Sequence, residues 1–153
     1  MINIRKAKVS DYEVIFDLYK QLYEAESVFD DNLKKDYYET EEAKEKVLKA
    51  VRARKKTFLV AEENKKVVGL VDGYMIDSNH HIQKVAYLDH LCVYKNFRKK
   101  GIGKMLIDEF NKRMKEQGAK SVKLNAFRQN YPASSLYEKE GFKEYSVYYI
   151  KDI

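Results

Sequence analysis

The alternation of apolar and polar positions predicts a strand and two helices in the first third of the chain. Residues Asn3 to Lys8 alternate as a half-buried strand does, and Ser10-Asp11-Tyr12-Glu13 forms a capping box that begins a helix. The helix carries an apolar stripe at spacings of three and four that must face a core: Val14, Ile15, Leu18, Tyr19 and Leu22. Residues Glu24 to Thr40 have no clean period and predict a loop or a broken helix. Thr40, followed by two glutamates, begins a second helix that runs to about Arg54.

The middle of the chain changes to the pattern of strands. Three runs rich in β-branched and aromatic residues are separated by short polar turns: Thr57 to Glu62, Val67 to Ile76 and Val85 to Val93. Because the connections between them are short, these strands are expected to pair as an antiparallel meander.

The last third returns to alternating helices and strands. An amphipathic helix with Ile102, Leu106 and Phe110 on one face stops at Gly118, where a left-handed cap is expected. A strand at Ser121 to Ala126, a helix at Pro132 to Glu140 and a final strand at Tyr145 to Lys151 follow. The order β-α-α-β-β-β-α-β-α-β indicates an α+β or mixed α/β fold, with residues 1–153 forming one domain.

Composition favours a globular protein of the cytoplasm. The 153 residues are 44% hydrophobic and 35% charged, and no window approaches the roughly 18 apolar residues of a membrane-spanning helix. Met1 to Arg5 run directly into a charged segment, so secretion and membrane insertion are not expected. The single cysteine, Cys92, cannot form an internal disulfide and is expected to be a small buried strand residue rather than a nucleophile.

The net charge of +6 raises the question of a polyanionic partner. Most lysines alternate with acidic residues, which is typical of solvated helix faces, so a nucleic-acid partner is not expected. The exception is a cluster of cations around two glycines: Lys95, Arg98, Lys99, Lys100 and Lys104.

Gly101 and Gly103 lie between the strand that ends at Val93 and the strongly periodic helix that follows. A helix N-terminus has unpaired N–H groups and a partial positive charge, and glycines let a phosphate approach the backbone. The spacing does not fit a Walker loop, which needs four residues between its first glycine and Gly-Lys. It does not fit a dinucleotide fingerprint either, because Leu106 stands where a third small residue is needed.

Two segments resemble the signatures of the GNAT N-acetyltransferase family. Val93 to Leu106 resembles the acetyl-CoA signature, in which valine precedes Arg/Gln-x-x-Gly-x-Gly/Ala and leucine. Asn130 to Phe142 resembles the second signature, in which Asn, Ala, Leu-Tyr and Gly-Phe recur at these spacings. The resemblance covers nearly the whole chain and implies a central, mostly antiparallel mixed sheet flanked by about four helices.

The resemblance implies where acetyl-CoA would bind as co-substrate. Backbone groups of Leu91, Cys92 and Val93 would meet the pantetheine and thioester. The pyrophosphate would be cradled by a continuous run: Arg98, Lys99, Lys100, Gly101, Ile102, Gly103 and Lys104. Asn130 would hold the pantetheine arm from the other side of the opening between the two strands that end at Val93 and Ala126.

The resemblance also suggests catalytic groups. An aliphatic amine must lose a proton before it attacks a thioester, so a base or a water chain is required. Asp89, at a strand position where family members often carry an acid, is the favoured base, and His90 and a water chain are the alternatives. Successive strand residues face opposite ways, so ordinarily only one of the two side chains would face the acetyl group. Tyr137 would protonate the departing thiolate.

The resemblance implies that the acidic and aromatic stretch Phe29 to Glu39 borders the acceptor site. Its carboxylates could attract a cation, so the acceptor is expected to be a small cationic amine of polyamine or aminoglycoside type. Three alternatives stay open: a protein lysine acetyltransferase, an N-terminal acetyltransferase and a non-catalytic acyl-CoA sensor. No metal is expected, because three histidines and one cysteine lack ligand spacing. The sequence also allows a homodimer.

Overall fold

A single five-stranded sheet forms the centre of the computed structural model, which describes residues 1–153. The strands lie in chain order, antiparallel from the first to the fourth, and the fifth is parallel to the fourth. Their bounds are β1 Ile2–Lys6, β2 Lys56–Glu63, β3 Lys66–Met75, β4 Val85–Val93 and β5 Ser121–Lys123. The predicted antiparallel meander is therefore confirmed as β2 to β4.

Four helices flank the sheet, as predicted: α1 Tyr12–Glu26, α2 Glu41–Arg52, α3 Ile102–Glu116 and α4 Tyr131–Lys139. Alternate residues of the strands form two apolar layers on opposite faces of the sheet. On one face the predicted stripe of α3 packs on Leu59, Val71 and Leu88; on the other, Ile15 and Leu18 of α1 pack near Cys92. The sheet is covered on both faces, which explains the near-continuous burial of β2 and β3.

Local chemistry sets several helix ends. The side chain of Thr40 accepts a hydrogen bond from the Ala43 N–H at the start of α2, as its type and position predict. Gly118, after α3, adopts a left-handed conformation with φ of 97°, also as predicted. The capping box predicted at Ser10 is wrong: a 3₁₀ turn at Val9–Asp11 precedes α1, and Asp11 accepts from the Lys8 N–H instead.

A β-bulge interrupts the pairing of β3 with β4. Asp72 lies opposite His90 and Gly73 lies opposite Leu88, so Asp89 is an extra residue without a partner on β3. A bulge bends its strand and turns neighbouring side chains away from strict alternation. The strict alternation behind the expectation that only one of Asp89 and His90 would face the acetyl group is therefore interrupted here, and both side chains reach the same cluster of charges.

The C-terminal part of the sheet is shorter than predicted. β5 ends at Lys123 rather than Ala126, and the strand predicted at Tyr145 to Lys151 is absent. Residues 143–153 make no backbone hydrogen bond within the chain, although their side chains suit a strand. An alternating sequence pattern shows only that a segment is suited to a strand. The strand forms only where the edge of another strand supplies its hydrogen bonds.

Candidate active site

Strands β4 and β5 pair over only three positions and then separate. The last paired residues are Tyr87 and Lys123, and beyond them Leu88 to Val93 of β4 have no neighbour on that side. The loop between α1 and α2 reaches the segment that follows β5, because the rings of Phe29 and Phe127 lie 5.7 Å apart. The opening that the sequence predicted between these strands is thus present, and the α1–α2 loop borders it.

The glycine loop after β4 exposes a run of backbone donors. A 3₁₀ turn at Lys95–Phe97 leads into Lys99 and Gly101, both in the left-handed region with φ of 61° and 78°, and α3 begins at Ile102. The N–H groups of residues 99–104 donate to no group of the chain. Because they lie at the positive end of the α3 dipole, they form a site suited to a phosphate group.

The second glycine lets α4 approach the start of α3. A Cβ atom on Gly103 would lie 3.2 Å from Cδ2 of Leu136, so a larger side chain would push against α4. A side chain at Gly103 would thus require Leu136 to shift by a few tenths of an ångström, while no atom lies within 4 Å of a Cβ built on Gly101.

Two of the predicted cofactor cations are engaged within the chain. The Arg98 Nε atom donates to the Val93 carbonyl at 2.9 Å, which ties the loop to the end of β4. The Lys104 Nζ atom lies 2.9 Å from Asp108 and 3.0 Å from Glu140. Lys99 and Lys100 form no ion pair, so the backbone and these two side chains are the groups most available to an anion.

Cys92 and Val93, two of the residues predicted to meet the cofactor along β4, both contact Gln21 of α1. The thiol of Cys92 is buried beneath α1, accepts from Gln21 Nε2 at 3.2 Å and has its pKa raised to about 11 by burial. It is therefore protonated at neutral pH and is a packing residue, as expected. The Val93 carbonyl also accepts from Gln21, at 3.3 Å.

A fully buried carboxylate, Asp72, organises the charges next to this opening. It accepts hydrogen bonds from the Tyr19 hydroxyl and from His90 Nδ1 at 3.0 Å, and it pairs with Lys56 Nζ at 2.7 Å. Burial opposes the ionised form, but the neighbouring His90 and Lys56 outweigh it and lower the pKa of Asp72. Asp72 is therefore an anion that His90 and Lys56 stabilise.

Asp89 and His90 lie beside this anion. Lys56 Nζ bridges to Asp89 Oδ2 at 3.2 Å, and His90 Nδ1 lies 3.6 Å from the same oxygen. The His90 ring is one-third exposed and packs edge-on against Tyr19 with ring centroids 4.7 Å apart. Burial lowers the pKa of His90, but the charges of Asp72 and Asp89 reverse this, and the net shift is upward.

Glu26, in the last turn of α1, is a further acidic group that sequence reasoning missed. Partial burial raises its pKa, while His90 lowers it and Asp89 raises it, so its carboxyl lies within electrostatic reach of both. It also raises the pKa of Tyr137. The hydrophobic pattern of the sequence does not single out Glu26. Its place in the structure depends on where α1 ends and on the direction of the last turn of that helix.

Tyr137 lies on α4, and Asn130 immediately precedes that helix. The Tyr137 ring packs against Phe142 at 5.8 Å, and its hydroxyl makes no hydrogen bond within the chain. Burial, followed by the charge of Glu26, raises the pKa of Tyr137 to about 12, so the phenol keeps its proton at neutral pH. Asn130 caps α4, since its Oδ1 atom accepts from the Ala133 N–H at 3.4 Å.

Comparison with known families matches the acetyltransferase (GNAT) family over residues 14–142. The chain belongs to the GNAT family. It is therefore an N-acetyltransferase, and its α+β fold is the one that the resemblance of its two motifs implied.

Relatives of this GNAT enzyme extend over nearly its whole length. It is 31% identical over 147 residues to YhfO, an uncharacterized N-acetyltransferase of Bacillus subtilis strain 168, covering 94% of this chain and 91% of that protein. The PaiA N-acetyltransferase of Thermoplasma acidophilum in complex with coenzyme A is 28% identical, with a TM-score of 0.77 over 94% of this chain and 90% of that one. A tetramutant of BH1408 from Bacillus halodurans shares the fold at 22% identity, with a TM-score of 0.86 over 99% of both chains.

Three side chains of this GNAT enzyme lie close enough together to be considered as ligands of a metal ion. Ligand atoms of Asp72, Asp89 and His90 lie within 4.8 Å of one another, a convergence that spacing along the chain did not reveal. The ammonium of Lys56 already lies between the two carboxylates. It supplies the positive charge that a divalent cation would otherwise bring. None of the helices is both long and apolar enough to cross a bilayer.

Proposed function

We propose that this GNAT enzyme transfers the acetyl group of acetyl-CoA to the primary amine of a small cationic acceptor. The observation that carries the proposal is the stretch Leu88 to Val93 of β4, which has no neighbouring strand on one side, carries His90 with a free Nε2 atom and leads to the unpaired N–H groups of residues 99–104. One strand thus presents a proton acceptor and leads to donors suited to a diphosphate, the two features that acetyl transfer from acetyl-CoA to an amine requires. Glu26 would supply the carboxylate that attracts the ammonium group, and Tyr137 the proton donor.

The loop before α3 would hold the pyrophosphate of acetyl-CoA. The unpaired N–H groups of residues 99–104 support this proposal, with Lys99 and Lys100 adding attraction at longer range. Leu91, Cys92 and Val93 would meet the pantetheine and thioester through their backbone, and Asn130 would lie along its other side. No metal is required in this scheme.

The proposed reaction is a direct attack within a ternary complex. The neutral amine nitrogen attacks the thioester carbonyl, and its excess proton passes to a base on β4, Asp89 or His90. The C–N bond forms as the C–S bond breaks, and the departing thiolate takes a proton from the Tyr137 hydroxyl. Tyr137 is available for the acid role because its phenol is protonated at neutral pH and its hydroxyl makes no hydrogen bond within the chain.

The acidic α1–α2 loop would extend the acceptor site. Asp30 and Asp31 form no ion pair within the chain, and Asp30 only accepts from the Asn32 N–H at 3.0 Å. Their charges are thus available to a second ammonium group of a polyamine or an aminoglycoside. Reversing both charges should raise KM for such an acceptor and leave KM for acetyl-CoA unchanged.

An acceptor screen with acetyl-CoA, read as release of free thiol, tests the function directly. We expect polyamines or aminoglycosides to be turned over in preference to lysine-containing or N-terminal peptides. Preference for peptides would instead support a protein lysine or N-terminal acetyltransferase. Heat protection by coenzyme A without turnover of any amine would indicate an acyl-CoA sensor; ligand at 100 times its Kd adds about 2.7 kcal/mol of stability.

Glu26 offers a sharper test with a matched control on the same helix. Glu26→Gln should raise KM for the cationic acceptor about tenfold, because one charge-assisted contact is lost. Glu24→Gln changes an exposed glutamate two residues away and should leave KM unaltered. Equal effects of the two substitutions would contradict an acceptor role for Glu26.

A further inference from the structure

The buried Asp72 holds His90 in a defined orientation. Its carboxylate accepts from Nδ1 of the ring, which fixes the neutral tautomer with the proton on Nδ1 and the lone pair on Nε2. Nε2 makes no hydrogen bond within the chain. A partly exposed imidazole whose Nε2 atom is free can accept a proton when the ring is neutral.

Asp89, the acid expected from the sequence to be the base, is engaged elsewhere. Its Oδ2 atom lies 3.2 Å from the ammonium of Lys56, with which it forms an ion pair. An amine that gave its proton to this oxygen would have to compete with that ammonium. The β4 bulge thus brings two candidates to one cluster. Oδ1 of Asp89 and Nε2 of His90 both make no hydrogen bond within the chain, but the Asp89 carboxylate is held as an anion by the Lys56 ammonium, which weakens it as a proton acceptor.

We propose that His90 is the proton acceptor of the reaction and that Asp72 is the residue that positions it. In the step itself, Nε2 of His90 takes the proton that the amine nitrogen sheds as the C–N bond forms. Asp72 keeps Nδ1 protonated and stabilises the imidazolium that results. This inference rests on the proposed function and selects one of its two candidate bases.

Charged and titratable groups from four secondary-structure elements act on the His90 ring. The charged and titratable groups that face it are Asp72 of β3, Lys56 of β2, Asp89 of β4, and Tyr19 and Glu26 of α1. The two aspartates outweigh Lys56 and burial, and the pKa of His90 is raised. A base must be unprotonated to act, so kcat/KM should rise with pH through a value above that of an ordinary histidine.

The first test removes each candidate base in turn. His90→Gln should lower kcat about a hundredfold for an aliphatic amine and remove the ionisation of His90 from the pH–rate profile of kcat/KM. Asp89→Asn should retain at least a third of wild-type turnover and keep that ionisation. An ionisation that persists in His90→Gln, or a larger loss of turnover in Asp89→Asn, would overturn the proposal.

The second test examines the positioning role. Asp72→Asn should shift the ionisation in the pH–rate profile of kcat/KM downward, because the anion that raises the His90 pKa is removed. Tyr19→Phe leaves Asp72 in place and removes a single hydrogen bond to it. This variant provides the test if Asp72→Asn does not fold. It should move the same ionisation upward, because the freed carboxylate acts more strongly on His90. An ionisation unmoved by both substitutions would overturn the role of Asp72.

Nitrogen NMR of the histidine rings separates this inference from the proposed function. His90→Gln identifies the His90 signals among the three histidines. The neutral ring should carry its proton on Nδ1, and a proton on Nε2 would refute the dyad. If the wild-type enzyme turned over no amine at all, the proposed function would fail, whereas the tautomer would still report whether Asp72 orients His90.

Discussion

The ammonium of Lys56 lies 2.7 Å from a carboxylate oxygen of Asp72, a side chain with no exposure to solvent. A charge this deeply buried persists only because its partners offset the cost of removing it from water. The pair joins β2 to β3 beneath α1 and keeps Asp72 ionised beside His90, so one contact supports both the core and the candidate active site.

Lys56→Met should therefore destabilise the fold by about 3 kcal/mol, since it leaves the Asp72 carboxylate without its cation. The measurement is the free energy of unfolding in urea. Lys55→Met is the matched control, because Lys55 is the exposed neighbour and its loss should change stability by less than about 0.5 kcal/mol. Similar effects of the two substitutions would show that the buried pair contributes little.

Gly101→Ala should weaken coenzyme A binding. Gly101 has φ of 78°, a conformation that costs alanine about 1 kcal/mol, and it stands among the backbone donors proposed to hold the pyrophosphate. Gly118→Ala imposes similar strain at the far end of α3, where φ is 97°. Both variants should lose similar stability, and calorimetric titration should show weaker binding only for Gly101→Ala. Unchanged binding in that variant would remove the loop from the proposed site.

Tyr137→Phe should lower turnover at least tenfold, equivalent to about 1.4 kcal/mol of barrier, and leave acetyl-CoA binding nearly intact. The hydroxyl is the proposed proton donor to the thiolate, whereas the ring that packs on Phe142 is retained. Tyr131→Phe, at an exposed tyrosine of the same helix, is the control and should not change kcat. Turnover equal to wild type in Tyr137→Phe would refute the acid role.

Asp11→Asn should reduce stability at neutral pH by about 1 kcal/mol, a value discounted for partial exposure of the pair with Arg5. The hydrogen bond from Arg5 lowers the pKa of Asp11 in the folded state. The contribution is therefore complete above the ordinary carboxyl pKa and is lost as pH falls through the lower folded value.

Urea unfolding between pH 7 and pH 2 checks this prediction. The stability difference between wild type and Asp11→Asn should shrink as the medium becomes strongly acidic, because the wild-type carboxyl is then neutral as well. Asp31→Asn, at an exposed carboxyl without an ion pair, should follow the wild-type curve throughout. A difference that stays constant with pH would show that the charge of Asp11 is not its source.

Local patterns in the chain were sufficient to predict most of the elements. The spacing of hydrophobic residues predicted β2, β3 and β4 and the buried stripe of α3. The residue types at Thr40 and Gly118 predicted the start of α2 and the end of α3. The same reasoning failed at Tyr145 to Lys151, because a strand needs a partner edge and nothing in the local pattern says whether one is available.

Some residues of the candidate active site could likewise be predicted from local sequence, and others could not. Gly101 and Gly103 could be singled out from the sequence as candidates for a phosphate site, because such a site depends on consecutive backbone groups at the start of one helix. Asp72 could have been singled out as the one carboxylate in the apolar run of β3, but its partners Lys56, His90 and Tyr19 come from three other elements. Glu26 carried no local signal at all.

Residues close together along the chain were enough to predict most of the helices and strands, to single out the glycine loop as a candidate phosphate site and to indicate the family. The bulge that brings Asp89 and His90 to one cluster, and the contact by which Asp72 holds His90, could be found only in the folded chain. These relationships arise from strand register and helix packing, which depend on contacts between residues distant in the sequence.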